Sequence, residues 1–181
     1  MSTISAFVFT SLNGYYKGPD EDISWHHHGE EELKFSEESV SKGNTLLFGR
    51  VTFEHMKAFW PTPAAAQNMP KIAKGMNNSE KLVMSRTLRE SDWQNTNFLS
   101  SDWVQELAEI KKHTDITLLG SGSILTQLAT ENLLDELQLM IDPRAIGAGS
   151  TIFKGLTRPL NFQLKDHRIF NTGNVLLTYS R

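Results

Sequence analysis

Three short runs put small, hydroxylated or cationic residues where an apolar stretch gives out: LLFGRVT at 46–52, LVMSRT at 82–87 and TLLGSGS at 117–123. If each apolar stretch is a strand of one parallel sheet, all three turns lie on the same edge, where ligands of such sheets bind. The residue types suit an anion. Backbone N–H groups at a helix start favour negative charge, and glycine lets the chain approach phosphate closely, as at Gly49, Gly120 and Gly122. Arg50 and Arg86 can fork onto phosphate oxygens, while Thr52, Ser85, Thr87, Ser121 and Ser123 add hydroxyl donors. The ligand class this suggests is a nucleotide or dinucleotide phosphate. The same residues also serve as ordinary loop punctuation and surface charge, so spacing alone leaves both readings open.

The elements that must position these turns follow from periodicity. Residues 4–12, ISAFVFTSL, read as a buried strand, and the turn-rich GYYKGPDEDISW as a long loop. A polar helix is predicted over 30–42, then the strand TLLFG and a helix from Arg50 that Pro61 and Pro63 close. KLVM at 81–84 is the next strand. Ser101 is predicted to cap a helix whose buried stripe is Val104, Leu107, Ala108 and Ile110. Residues 116–119 form a strand and 123–130 a helix, which Asn132 ends in a left-handed conformation. LQLMI is a further strand, and the tail forms two antiparallel strands about NTGN. The fold class is α/β, with a sheet parallel in the middle and antiparallel at the end. A dinucleotide-binding Rossmann unit does not fit. Its third glycine would fall on Leu125, and the motif comes late in the chain.

Composition narrows the partners. The 181 residues are 39% hydrophobic with a net charge of -3, which fits one folded domain over 1–181 and argues against nucleic acid. There is no cysteine, hence no disulfide, thiol nucleophile or thiolate metal site. No signal peptide or membrane span is read, so the expected location is cytoplasmic. The run Trp25-His26-His27-His28 leads into three glutamates. Adjacent imidazoles cannot all converge on one ion, so it is read as a solvated loop with no metal. Trp25, Phe35, Phe53 and Trp60 could wall a flat heterocycle or be core.

TSLNGYYKGPDEDISW, LLFGRVTFE, LVMSRT, LLGSGSILTQL and LLDELQLMIDPRAIGAGSTIF, in this order and spacing, resemble the dihydrofolate-reductase-like superfamily. The resemblance covers nearly the whole chain and is greatest to stand-alone relatives of the reductase domain of the riboflavin-biosynthesis deaminase-reductase. It implies a central mixed, mostly parallel sheet flanked by helices with an antiparallel C-terminal hairpin. It further implies an NADPH-dependent reductase of a small planar heterocycle, acting as a homodimer, or a nucleotide-binding module of the same fold without turnover. Gly120, Ser121, Gly122 and Ser123 would then hold the pyrophosphate. Gly49, Arg50, Val51 and Thr52, with Ser85, Arg86 and Thr87, would hold the adenosine-side phosphates. Thr10, Lys17 and Gly18 fall where the nicotinamide carboxamide contacts backbone. Asn13, which stands where relatives commonly have aspartate, and Trp25 would border the substrate, and Glu32 or a neighbouring acid would assist protonation.

Overall fold

The computed structural model describes residues 2–181. At its centre is β1 (Ile4–Thr10), whose side chains divide between two faces. Ile4, Ala6, Val8 and Thr10 are buried on one face, while Ser5, Phe7 and Phe9 are only partly covered on the other. The strand is thus core on one side and cleft floor on the other, rather than buried throughout. It also stops short of Leu12, which is 65% exposed.

Parallel neighbours flank β1 on both sides. β6 (Ile116–Leu119) pairs with it from Ile4↔Ile116, and β7 (Glu136–Ile141) from Ser5↔Glu136. Beyond β6 come β3 (Thr45–Gly49), β4 (Lys81–Met84) and the short β5 (Thr96–Phe98), all parallel. Beyond β7 lies β10 (Val175–Ser180), antiparallel to both β7 and the edge strand β9 (Gln163–Ile169). The eight-stranded order is β5, β4, β3, β6, β1, β7, β10, β9. This is the mixed, mostly parallel sheet with a terminal hairpin that the sequence predicts. Two very short strands, β2 (Tyr15–Lys17) and β8 (Ser150–Thr151), pair separately. Neither is legible in the predicted loops.

Helices cover the two faces. α5 (Trp103–Ile110) and α6 (Gly122–Thr130) bury Leu107, Leu125, Leu128 and Ala129 against Ile4, Ala6, Val8 and Leu118. On the opposite face α2 (Arg50–Phe59) and α4 (Pro70–Asn78) contribute Phe53, Ile72 and Met76 to a cluster with Leu46, Phe48, Val83 and Trp93. α1 (Glu30–Ser41) lies beside α4.

Two local expectations are corrected. Pro63 does not close a helix but begins α3 (Pro63–Asn68), and Pro70 begins α4. Proline is tolerated in a first turn because that N–H has no partner to lose, and Thr62 caps α3 by accepting from Ala65 N at 3.2 Å. The cap of α5 is Asp102 rather than Ser101. Asn132 does take the left-handed conformation, with φ 59°.

Lys81 in β4 is fully buried, an uncommon place for an ammonium group. It donates to the carbonyls of Met76, Asn77 and Ser79 at 3.0, 3.2 and 2.6 Å, closing the C-terminal end of α4, and sits 4.7 Å over the Trp93 ring. Burial pushes its pKa down to about 8, with Glu80 opposing. Lys81→Ala is expected to lower stability by about 3 kcal/mol in urea unfolding, from a cavity and orphaned carbonyls together. In the wild type the folded state releases this proton before the unfolded state does, so stability should rise from about pH 8 towards the unfolded pKa of roughly 10.4. The variant should lack that rise.

Candidate functional site: two helix starts at the mouth of an aromatic cleft

Gly49 ends β3 and caps α2, while Ser121 caps α6 just after β6. Since β3 and β6 are adjacent, the two helices begin side by side. A Cβ on Gly49 would lie 2.5 Å from Ser121 Oγ, and one on Gly120 would lie 3.4 Å from the Thr52 methyl, so the turns are in contact. Neither Arg50 and Val51 nor Gly122 and Ser123 have an intrahelical carbonyl to bond, being first-turn residues. Their N–H groups and both helix dipoles make one positive spot. Ser121 is left-handed, with φ 54° and ψ 79°, a conformation that costs a non-glycine residue roughly 1–2 kcal/mol. Strain of this kind concentrates at ligand-holding turns.

Next to this spot opens a cleft of about 1000 Å³ on the partly covered face of β1. Gly49, Arg50, Val51, Thr52, Gly120 and Ser121 line one end, together with Ser123. Phe7 and Phe9 floor the middle, and Trp25, His26, His28 and Phe35 form the far wall. The Phe7 and Phe9 rings meet edge to face, with centroids 4.8 Å apart, and Phe9 meets His26 the same way at 3.7 Å. Such a slot accepts a flat, largely apolar ring with polar edges.

A family model, the RibD C-terminal domain, matches residues 2–176. The chain belongs to the RibD C-terminal domain family. Among relatives of this RibD C-terminal domain protein, the uncharacterized protein YyaP of Bacillus subtilis (strain 168) is 26% identical over 171 residues, covering 93% of this chain and 89% of YyaP. A crystal structure of a Shewanella sp. PV-4 protein, provisionally assigned to riboflavin biosynthesis, superposes with a TM-score of 0.75 at 20% identity, covering 99% and 98% of the two chains. Dihydrofolate reductase from Enterococcus faecalis, solved with NADP(H) and RAB-propyl, superposes with a TM-score of 0.59 at 20% identity, covering 99% and 96%. These likenesses establish a dihydrofolate-reductase-like fold.

In this RibD C-terminal domain protein the residues singled out from sequence fall into three groups. The first comprises the residues of the two turns apart from Gly122, which meet as described, and Lys17 and Trp25, which also line the cleft. The second lies on the same edge but off the cleft lining. Ser85, Arg86 and Thr87 follow β4, whose Met84 pairs with Gly49. Ser85 Oγ accepts from the N–H groups of Thr87 and Leu88 at 3.2 and 2.8 Å, which shapes the turn. Arg50 pairs with Glu54 at 2.8 Å, while Arg86 has no ion pair among the described residues. Thr10 is buried, its carbonyl accepting from Asp142 N at 2.8 Å, and Gly18 N bonds Asp22 O at 2.7 Å.

The third group has other duties. The space over Gly122 is filled by Tyr16, since an added Cβ would stand 2.5 Å from its ring. Asn13 is a loop latch: its amide donates to Ile146 O at 2.8 Å and its carbonyl accepts from Ile146 N at 3.2 Å. Glu32 is 1% exposed and is not among the residues lining the cleft. Its carboxylate accepts from the Thr172 hydroxyl, from Asn174 Nδ2 at 2.9 Å and from Gly29 N at 3.0 Å. It is half of a capping box, glycine having no side chain to return the bond. Phe53, offered as a possible cleft wall, is core. Conversely, the histidine run is not simply a solvated loop. His27 and His28 are exposed, but the His26 side chain is covered, 7% exposed, with Nδ1 2.6 Å from Asp142 Oδ2. Among the described residues no group of three His, Asp or Glu side chains is placed to hold a metal ion.

Burial alone pushes the Glu32 carboxyl up, but the bonds from Thr172, Asn174 and Gly29 outweigh it and hold the group below the usual carboxylate range. Its contribution to stability is therefore present above the unfolded pKa of about 4.3 and lost as pH falls through the lower folded value. Glu32→Gln should cost about 2 kcal/mol at neutral pH by chemical denaturation, because an amide nitrogen cannot accept these donors. The acid-induced loss of stability should be smaller in the variant than in the wild type.

Proposed function

We propose that the protein is an NADPH-dependent reductase that passes hydride to a small planar heterocycle. The observation that carries this reading is the meeting of two helix starts, α2 and α6, at one end of an aromatic-floored cleft. Gly120 to Ser123 would hold the pyrophosphate, and Gly49 to Thr52 beside them the adenosine-side phosphates, through first-turn N–H groups and hydroxyls. Gly122 contributes backbone, with Tyr16 standing behind it. Arg86, with Ser85 and Thr87, would take the phosphate that distinguishes NADPH from NADH. The nicotinamide, when bound, supplies the hydride, and the protein orients and encloses both rings. Phe7, Phe9, Trp25 and Phe35 exclude water from the slot and fix the plane of the heterocycle. The proposed location is the cytoplasm; among the described residues no helix is long and apolar enough to cross a membrane.

One observation favours a second reading, a nucleotide-binding module without turnover. The acid first expected to assist protonation, Glu32, is occupied in capping α1. NADPH oxidation that depends on an added heterocycle separates the two. Titration followed by nicotinamide fluorescence should give NADPH at least tenfold tighter than NADH, about 1.4 kcal/mol. Arg86→Ala should bring the two affinities together by weakening NADPH alone. Equal affinities in the wild type would remove the cofactor assignment.

A further inference from the structure

At the far wall of the cleft His26 meets a buried acid, Asp142, that does not itself line the cleft. Asp142, directly after β7, is fully buried. One carboxylate oxygen, Oδ1, accepts from His27 N at 3.0 Å. The other stands 2.6 Å from His26 Nδ1 without the alignment of a hydrogen bond. His26 lines the cleft, and both its ring nitrogens, like Asp142 Oδ2, are buried without a partner. Buried polar atoms are nearly always satisfied, and catalytic hydrogen bonds often tighten only when a ligand is in place. The surrounding structure holds this pair firmly. Arg144 donates to Trp25 O at 3.0 Å and Asn174 to His27 O at 2.8 Å, pinning the loop on either side of His26.

We propose that His26 and Asp142 form the proton-donating unit of the cleft, with His26 the catalytic residue and Asp142 positioning and reloading it. The inference rests on the reductase reading above. In the loaded state Asp142 is protonated towards Nδ1 and His26 carries its own proton on Nε2. When hydride reaches the carbon of a ring C=N bond, the π pair moves to nitrogen. A new N–H bond forms there as the Nε2–H bond breaks. The Asp142 proton crosses to Nδ1, leaving a carboxylate facing a neutral imidazole, and water entering the cleft restores the proton. The charged or titratable groups around the pair are His27 and His28 from its own loop, Glu32 from α1 and Arg144 after β7. Burial, with His28 beside it, pushes His26 down to about 3, and burial pushes the Asp142 carboxyl up against the opposing His27 N–H and Arg144. Both directions favour the loaded, uncharged state.

The test begins with imidazole nitrogen NMR of the wild-type protein, which needs neither a variant nor a substrate. At acidic pH His26 should carry its proton on Nε2, and it should switch to the Nδ1–H form as rising pH strips Asp142, above the ordinary carboxylate range. The switch should be absent from Asp142→Asn. A wild-type His26 held in the Nδ1–H form beside an ionised Asp142 throughout, with no switch, would overturn the proposal. With dihydropterin as acceptor, Asp142→Asn and His26→Gln should each lower kcat for NADPH oxidation at least about 100-fold. Asp142→Asn should also flatten the pH profile, with NADPH affinity within about twofold of wild type. An unchanged kcat would also overturn it. NADPH titration of the same samples reports on the cofactor reading separately, so the two can fail independently.

Discussion

A carboxylate removed from water must find donors, and in this protein that requirement joins the two ends of the chain. Glu32 meets it with Gly29 in its own turn and with Thr172 and Asn174 in the C-terminal hairpin. A buried charge lacking these bonds would cost several kcal/mol, so the hairpin turn cannot drift from the start of α1. Part of the far wall shares this link. The same Asn174 holds His27 O, the residue next to His26, and the adjacent Asp142 and Arg144 hold His27 N and Trp25 O. Polar bonds from the hairpin and the end of β7 thus set the wall opposite Phe9.

The other end of the cleft obeys a backbone constraint. Two helices can start side by side only if the chain between strand and helix is thin. Gly49 provides this where a side chain would strike Ser121 Oγ. Gly120 provides the left-handed turn, with φ 66°, and Ser121 follows in the same region despite its Cβ. The site is therefore asymmetric. Orphaned N–H groups and hydroxyls gather at one end, and aromatic and imidazole rings at the other, with β1 running beneath both.

How much of this is legible in the sequence depends on how local each cause is. The strands TLLFG, KLVM and ITLL, and the helices directly after the first and the last of them, announce themselves by periodicity, and all three turns fall where the sequence puts them. The stretch from Pro61 to Ser79 is ambiguous because proline both ends and begins helices, and only the Thr62 cap tips it towards beginning. Glu32 carries a warning, since Gly29 and Glu32 have the spacing of a capping box, which competes with any role in the cleft. Asp142 carries none. Nothing local in IDPRAIG shows that its carboxylate meets an imidazole more than a hundred positions earlier. The same holds for Tyr16 over Gly122 and for the pairing of β2 with β8.

The central position of β1 bears on how the protein is made. Its partners are residues 116–119 and 136–141, so β1 leaves the ribosome long before either of the strands it must pair with. At ordinary rates of synthesis the wait is on the order of 5–20 s. During it the segment ISAFVFT offers both ladder edges and two phenylalanines to any passing chain. β3 and β4 can pair with each other earlier, but the sheet cannot close around them until β6 arrives. The nascent protein is thus most vulnerable to misassociation, and most dependent on chaperone cover, between the synthesis of β1 and that of β6.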